Sequence, residues 1–233
     1  MTRKLTPPQV LSLPPGELAL LPQARFEGEI LLAETPEQAA KALKRLKGSK
    51  VLGFDTETKP CFTRGAAPHT PSLVQLAADD VVVLLRAGTF TAWDALAEIL
   101  SDAKVVKAGV AVQGDLTALG RIGPVSPRGF EDVGEWAKTF GWPVTGLRNL
   151  AASLLGVRIS KRARLTDWAA GRLSPAQVCY AATDAWISRQ LYMAMRPISR
   201  MMRAKTASKS REVVSMTTAS EAGISGATAR VRS

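Results

Sequence analysis

Two hydrophobic periods alternate along the chain, and the switches between them outline a fold. Short apolar runs bounded by turn residues read as strands at 29–33, 51–54, 72–77, 80–85, 104–108 and 130–133. Apolar residues spaced by three and four read as helices at 39–46, 93–100, 133–140, 147–155 and 175–195, with another after Gly109 that carries Asp115. Two helix starts are marked by a hydroxyl cap followed by proline, Thr35-Pro36 and Ser174-Pro175, and Gly48 stops the first of these helices. A tight turn at Ala78-Asp79 joins two consecutive strands. Strands early, helices late and one hairpin among crossover units predict an α/β fold with a mixed central sheet flanked by helices.

The ends of the chain lack this patterning. Pro7, Pro8, Pro14, Pro15 and Pro22 block regular structure repeatedly, so residues 1–27 are expected to form an extended arm. Beyond Pro197 the composition turns to Ser, Thr, Ala, Gly and basic residues without period, so 197–233 is expected to be a disordered basic tail. The folded domain is then 28–196. The net charge of +11 is shared between that tail and the rest, which favours a polyanionic partner. Cys61 and Cys179 are too far apart and too few for a disulfide scaffold, and the single His69 leaves little material for histidine-based zinc sites or Ser-His-Asp chemistry. No apolar run is long enough to span a membrane and no signal-peptide pattern opens the chain, so a cytoplasmic location is expected.

The strand at 51–54 runs into Asp55 and Glu57, whose i, i+2 spacing puts both carboxylates on one face of an extended backbone. Two like charges so placed call for a cation between them, although a solvated strand end is the plain alternative for D-x-E alone. Other acids strengthen the metal reading. Asp115 follows Gly109 near a helix start, where the helix dipole alone also favours an acid. Tyr180 and Asp184 share one helix face at i, i+4, among the small residues Ala181, Ala182 and Ala185 that let another backbone or a substrate approach. Four acids and a tyrosine suit phosphodiester hydrolysis by two divalent cations, Mg²⁺ or Mn²⁺, because hard cations take oxygen ligands. On that reading Asp55 bridges both metals, Glu57 and Asp184 complete one site, Asp115 holds the second through water, and Tyr180 orients the attacking water.

These residues resemble the DEDDy group of 3′-5′ exonucleases in the ribonuclease H-like proofreading superfamily. The resemblance covers about 28–195: D-x-E on Asp55 and Glu57, the glycine and acid on Gly109 and Asp115, and Y-x-x-x-D on Tyr180 and Asp184. The stretches from Lys107 to Asp115, around Leu154 and Leu165, and from Tyr180 to Trp186 are similar to the Werner-helicase exonuclease domain and its stand-alone bacterial relatives, with ribonuclease D next. The resemblance implies a ribonuclease H-like fold and a metal-dependent exonuclease acting on 3′-ended or single-stranded nucleic acid, with DNA favoured and DNA repair a plausible setting. A ribonuclease D-like exoribonuclease is the alternative.

Candidate substrate contacts are Lys59, Phe62, Arg64 and His69 in the loop after the acids, with Lys161 and Arg164 before Asp167-Trp168. Each has a plain counterpart: solvated basic side chains, a loop anchor for Phe62, and core for Trp168. Two further readings stand beside the enzyme, a non-catalytic nucleic-acid-binding module and a generic α/β domain with chance acids. The 51–54 strand is expected to be central and buried on both faces, holding Asp55 rigidly.

Overall fold

The computed structural model describes residues 13–62, 69–87 and 93–224, with side chains to residue 204. Six strands form one mixed sheet: β1 (Glu29–Ala33), β2 (Val51–Thr58), β3 (Pro71–Ala77), β4 (Val81–Arg86), β5 (Val106–Gly109) and β6 (Phe130–Asp132). Their spatial order is β1-β4-β3-β2-β5-β6. β2, β3 and β4 pair antiparallel, while β1 on β4, β5 on β2 and β6 on β5 pair parallel. The helices are α1 (Pro15–Leu20), α2 (Pro36–Lys44), α3 (Trp93–Ser101), α4 (Val112–Leu119), α5 (Val133–Thr139), α6 (Leu147–Leu150) and α7 (Pro175–Ile224), with a π-helical turn at Ala151–Leu155 directly after α6.

Alternation along the strands builds two cores. Leu52 and Phe54 of β2, Val74 and Leu76 of β3, and Val83 and Leu85 of β4 point to one face, where α2 and α3 supply Leu43, Leu96 and Leu100. Leu73, Ala77, Val82 and Leu84 point to the other, against Ala181, Ala182 and Ala185 of α7 and the buried Trp168. Burying a residue such as Phe54 is worth about 1.5–3 kcal/mol, which ties β2 into the sheet.

The approach of α7 to β2 is closer than ordinary helix-on-sheet packing. A Cβ on Gly53 would stand 1.8 Å from the Ala185 carbonyl oxygen, so only glycine fits there. Arg189 adds two polar ties, donating from Nε to the Val51 carbonyl at 3.3 Å and from Nη1 to Asp79 Oδ1 at 2.7 Å. Ser174 and Gln177 cap α7 reciprocally: the Gln177 N–H donates to Ser174 Oγ and the Ser174 N–H to Gln177 Oε1.

β2 is central and continues as strand to Thr58, so Asp55 and Glu57 lie inside the ladder rather than beyond its end. The arm differs from expectation, since Pro15 begins a short helix: proline is compatible with a first helical position. Residues 197–224, expected as a disordered tail, continue α7 in helical conformation through Pro197. A single interior proline removes one main-chain hydrogen bond at a cost of about 3 kcal/mol. The chain divides between Ala194 and Met195 into two units, the first of which holds the sheet. Among the described residues no helix is long and apolar enough to cross a membrane.

Because the Gly53 contact leaves no room for a methyl group, Gly53→Ala is expected to lower stability by about 3 kcal/mol. The urea midpoint should fall while the m-value stays unchanged.

Candidate active site

β2 separates its polar residues by face. Asp55 and Glu57 follow Gly53 at two-residue intervals and therefore point toward α7, whereas Thr56 points to the α4 side. The tight seat of α7 on Gly53 brings Asp184 to the same place. One carboxylate oxygen from each of Asp55, Glu57 and Asp184 lies within 4.8 Å of the others. Asp184 is 4% exposed, and its Oδ1 is buried without a hydrogen-bond partner among the described residues.

Asp115 reaches the site from the other face. Thr56 donates from its hydroxyl to Asp115 Oδ1 at 2.5 Å and from its N–H to Asp55 Oδ1 at 2.9 Å, so one residue ties two acids together. α4 can start here because Gly109 passes the Phe54 carbonyl oxygen at a distance where a Cβ would stand 2.8 Å away, and because Ala111 adopts a left-handed conformation at φ 57°. Asp132 holds the junction, accepting from the N–H groups of Val112, Gly134 and Glu135. Asp115 is not one of the three mutually close carboxylates, yet its charge is felt by both Asp55 and Glu57.

Four acids in a partly dry site carry an electrostatic penalty. Burial first, then the charges of Asp184 and Asp115, raise the Asp55 pKa well above the ordinary carboxylate value, against the Thr56 N–H. Burial and the charges of Asp55, Asp184 and Asp115 push Glu57 up to about 9, with Arg164 opposing. Burial raises Asp184 too, against the Tyr180 hydroxyl and Arg148. Burial raises Asp115, and Thr56 opposes it. A hard divalent cation fits this donor set: it would supply the missing positive charge, take oxygen ligands, and satisfy the orphaned Asp184 oxygen. Tyr180, one turn before Asp184, is held as a neutral phenol by burial and by the surrounding carboxylates.

The expected substrate contacts separate into groups. Arg164 comes close enough to Glu57 to favour its ionisation. Lys59 makes an ion pair with Asp167 at 3.4 Å, so its charge is already engaged. Phe62 is 82% exposed, which does not fit a buried loop anchor. His69 is exposed just before β3, Lys161 is exposed beside a cavity, and Arg64 lies outside the described residues. Trp168 is core, its ring tilted against Tyr180 at 6.0 Å.

Sequence reasoning missed several supporting residues. Asp132 carried a legible signal, an acid three residues before Glu135 at a helix start. Gln177 braces the 166–167 segment, donating from Nε2 to Thr166 Oγ1 and the Asp167 carbonyl. Gln75 stands opposite Asp55 in register, fully buried, with neither amide atom partnered among the described residues. Nothing in the sequence marks Thr56, Gln75 or Arg148 as site residues.

With this geometry established, similarity to known proteins becomes decisive. Residues 31–199 match the family model described as 3′-5′ exonuclease. The chain belongs to the 3′-5′ exonuclease family. It is 30% identical over 195 residues to a 3′-5′ exonuclease of Arabidopsis thaliana, covering 76% of this chain and 67% of that protein. It is 34% identical over 181 residues to ribonuclease D of Gluconacetobacter diazotrophicus, covering 75% of this chain and 44% of the relative, so it spans under half of that protein. The fold is also that of the Aedes aegypti Nibbler EXO domain, with a TM-score of 0.67, 22% identity, and coverage of 76% of this chain and 94% of the other. As a member of this family the chain is a hydrolytic exonuclease on a ribonuclease H-like fold.

The raised carboxylate pKa values set the sign of a stability effect. A carboxyl whose folded-state pKa exceeds its unfolded value stabilises the fold fully below the unfolded value and loses that contribution as pH rises toward the folded one. Without metal, melting temperature should therefore fall between pH 5 and about 9, the window of Glu57. Divalent cation should restore it, and Glu57→Gln should flatten the dependence in differential scanning fluorimetry.

Proposed function

We propose that the chain removes nucleotides one at a time from the 3′ end of single-stranded nucleic acid, with DNA as the preferred substrate and two divalent cations, Mg²⁺ or Mn²⁺, at the acidic site. The observation that carries this reading is the convergence of Asp55, Glu57 and Asp184 within 4.8 Å beside Asp115. When bound, such cations neutralise the phosphodiester and activate a water.

The chain's own residues divide the remaining work. Asp55, Glu57 and Asp184 would hold the cations directly, with Asp55 as the ligand they share, and Asp115 would assist from the other face through water. Thr56 fixes the relative placement of Asp55 and Asp115 by its two hydrogen bonds. Tyr180, whose pKa is driven upward, keeps its proton, which it shares with Asp184, and its hydroxyl oxygen orients the attacking water as a hydrogen-bond acceptor rather than as a base. Arg164 is exposed next to Glu57 and meets the phosphate, while Phe62 offers its exposed ring to a terminal base.

A second reading, an exoribonuclease, is favoured by the name of the ribonuclease D relative at 34% identity. A 5′-labelled oligonucleotide in DNA and RNA versions separates the two. The DNA version should shorten in single-nucleotide steps with Mg²⁺ or Mn²⁺ and stay intact in EDTA; faster shortening of RNA selects the second reading. Asp55→Asn should reduce the rate by at least about 1,000-fold. Tyr180→Phe removes one hydrogen bond and should slow kcat by about 10- to 100-fold. A strand left intact with either metal would refute the enzyme and return the fold to a binding role.

A further inference from the structure

A second cavity, of about 500 Å³, lies on the α7 side of the molecule, bounded by Leu18, Ala19 and Gln23 on one wall and Arg148, Lys161 and Arg162 on the other. It shares Gln23, Ile159, Ser160 and Arg162 with a neighbouring cavity of about 330 Å³ that Tyr180 lines, so the two form one trench leading to the catalytic tyrosine. The first wall comes from residues that precede the span matched by the exonuclease family. It is nevertheless firmly held. The Arg158 N–H donates to the Pro22 carbonyl at 2.9 Å, the Ala24 N–H donates to the Arg158 carbonyl at 2.8 Å, and Arg158 Nε donates to the Leu21 carbonyl at 2.9 Å.

The chemistry of this cavity is one-sided. Arg148, Arg158, Lys161 and Arg162 line it, and among the described residues no carboxylate does. Arg158 spends its guanidinium on the arm, with Nη1 donating to Gln23 Oε1. Lys161 and Arg162 make no ion pair among the described residues, and Arg148 Nε is buried without a hydrogen-bond partner there. Arg148 likewise makes no direct ion pair among the described residues, so the charges of this wall are open to an anionic ligand. Among the described residues no aromatic lines the cavity, which makes it a poor seat for a base.

We propose that this cavity binds an internucleotide phosphate of the substrate strand on the 5′ side of the scissile bond. The proposal rests on the exonuclease reading and extends it. The terminal nucleotide of a 3′ end brings a single phosphate, the one under attack, and the acidic cluster claims that one. A separate cationic pocket in the same trench can therefore be filled only by a phosphate further upstream. Arg148 links the two places, since it lines the cavity and lies within electrostatic reach of Asp184.

The test compares two substrates. One is a fluorescent single-stranded hexamer without a 5′-phosphate; the other is the p-nitrophenyl ester of thymidine 5′-phosphate, which has a scissile phosphate and nothing upstream. For Lys161→Gln/Arg162→Gln, the Kd of the hexamer, read by anisotropy in EDTA, should rise about tenfold. The slope of log Kd against log salt should flatten by about 0.7, the value for one lost phosphate contact on a single strand. Ala19→Asp, which places a carboxylate on the exposed arm wall, should weaken the hexamer similarly without touching the basic segment. With metal present, kcat/KM for the hexamer should fall about tenfold more than for the ester. Unchanged Kd and slope in both variants, or equal losses on hexamer and ester, would overturn the proposal. A wild-type protein inert on the ester would instead count against the exonuclease reading, and the binding measurement would still decide the cavity.

Discussion

The contact between Gly53 and the backbone of α7 at Ala185 is the constraint on which the site depends. A helix normally stands off a sheet by the thickness of its side chains. Here the strand gives up its side chain and the helix offers alanines, so the two backbones nearly touch. Two residues along the strand and one residue back along the helix, Asp55 and Asp184 are carried into the same volume. The acids are thus held by main chain on both sides, which leaves them little freedom to move apart when their charges repel.

That repulsion is the second organising force. Burial raises the pKa of every acid at the site, neighbouring site carboxylates add to it for Asp55 and Glu57, and the local helpers, Thr56 for Asp55 and Asp115, Tyr180 and Arg148 for Asp184, and Arg164 for Glu57, offset only part of it. Close packing elsewhere stabilises an arrangement that is electrostatically poor alone. A strained carboxylate cluster of this kind is prepared for cations and for the phosphate they accompany. The neighbouring cavity lined by Arg148, Arg158, Lys161 and Arg162 carries the opposite charge.

Much of this was legible because it depends on short-range patterns. All six strands and the principal helices follow from period and punctuation, and both Ser/Thr-Pro helix starts hold. The i, i+2 and i, i+4 spacings put the right acids on the right faces before any fold was known. The small residues flanking Asp184 pointed to a close approach, and β2 is what approaches. Where local signals are weak or ambiguous the reading fell short: Pro15 starts a helix within the arm, and residues after Pro197 continue one, because loss of apolar period does not by itself forbid a helix. Lys59 read as a free cation, but Asp167, over a hundred positions later, pairs with it.

The sequence alone therefore determined the elements, the central place of β2, and the five residues proposed for the chemistry, since each is set by neighbours within a few positions. Tertiary structure decided what those residues meet. That Asp115 is held by Thr56 from the opposite face, that Gln75 lies buried across from Asp55, and that Arg148 sits between the acids and a basic cavity are contacts across 59, 20 and 36 positions. Such contacts depend on strand order and on the depth of one helix's seat, which no local spacing encodes.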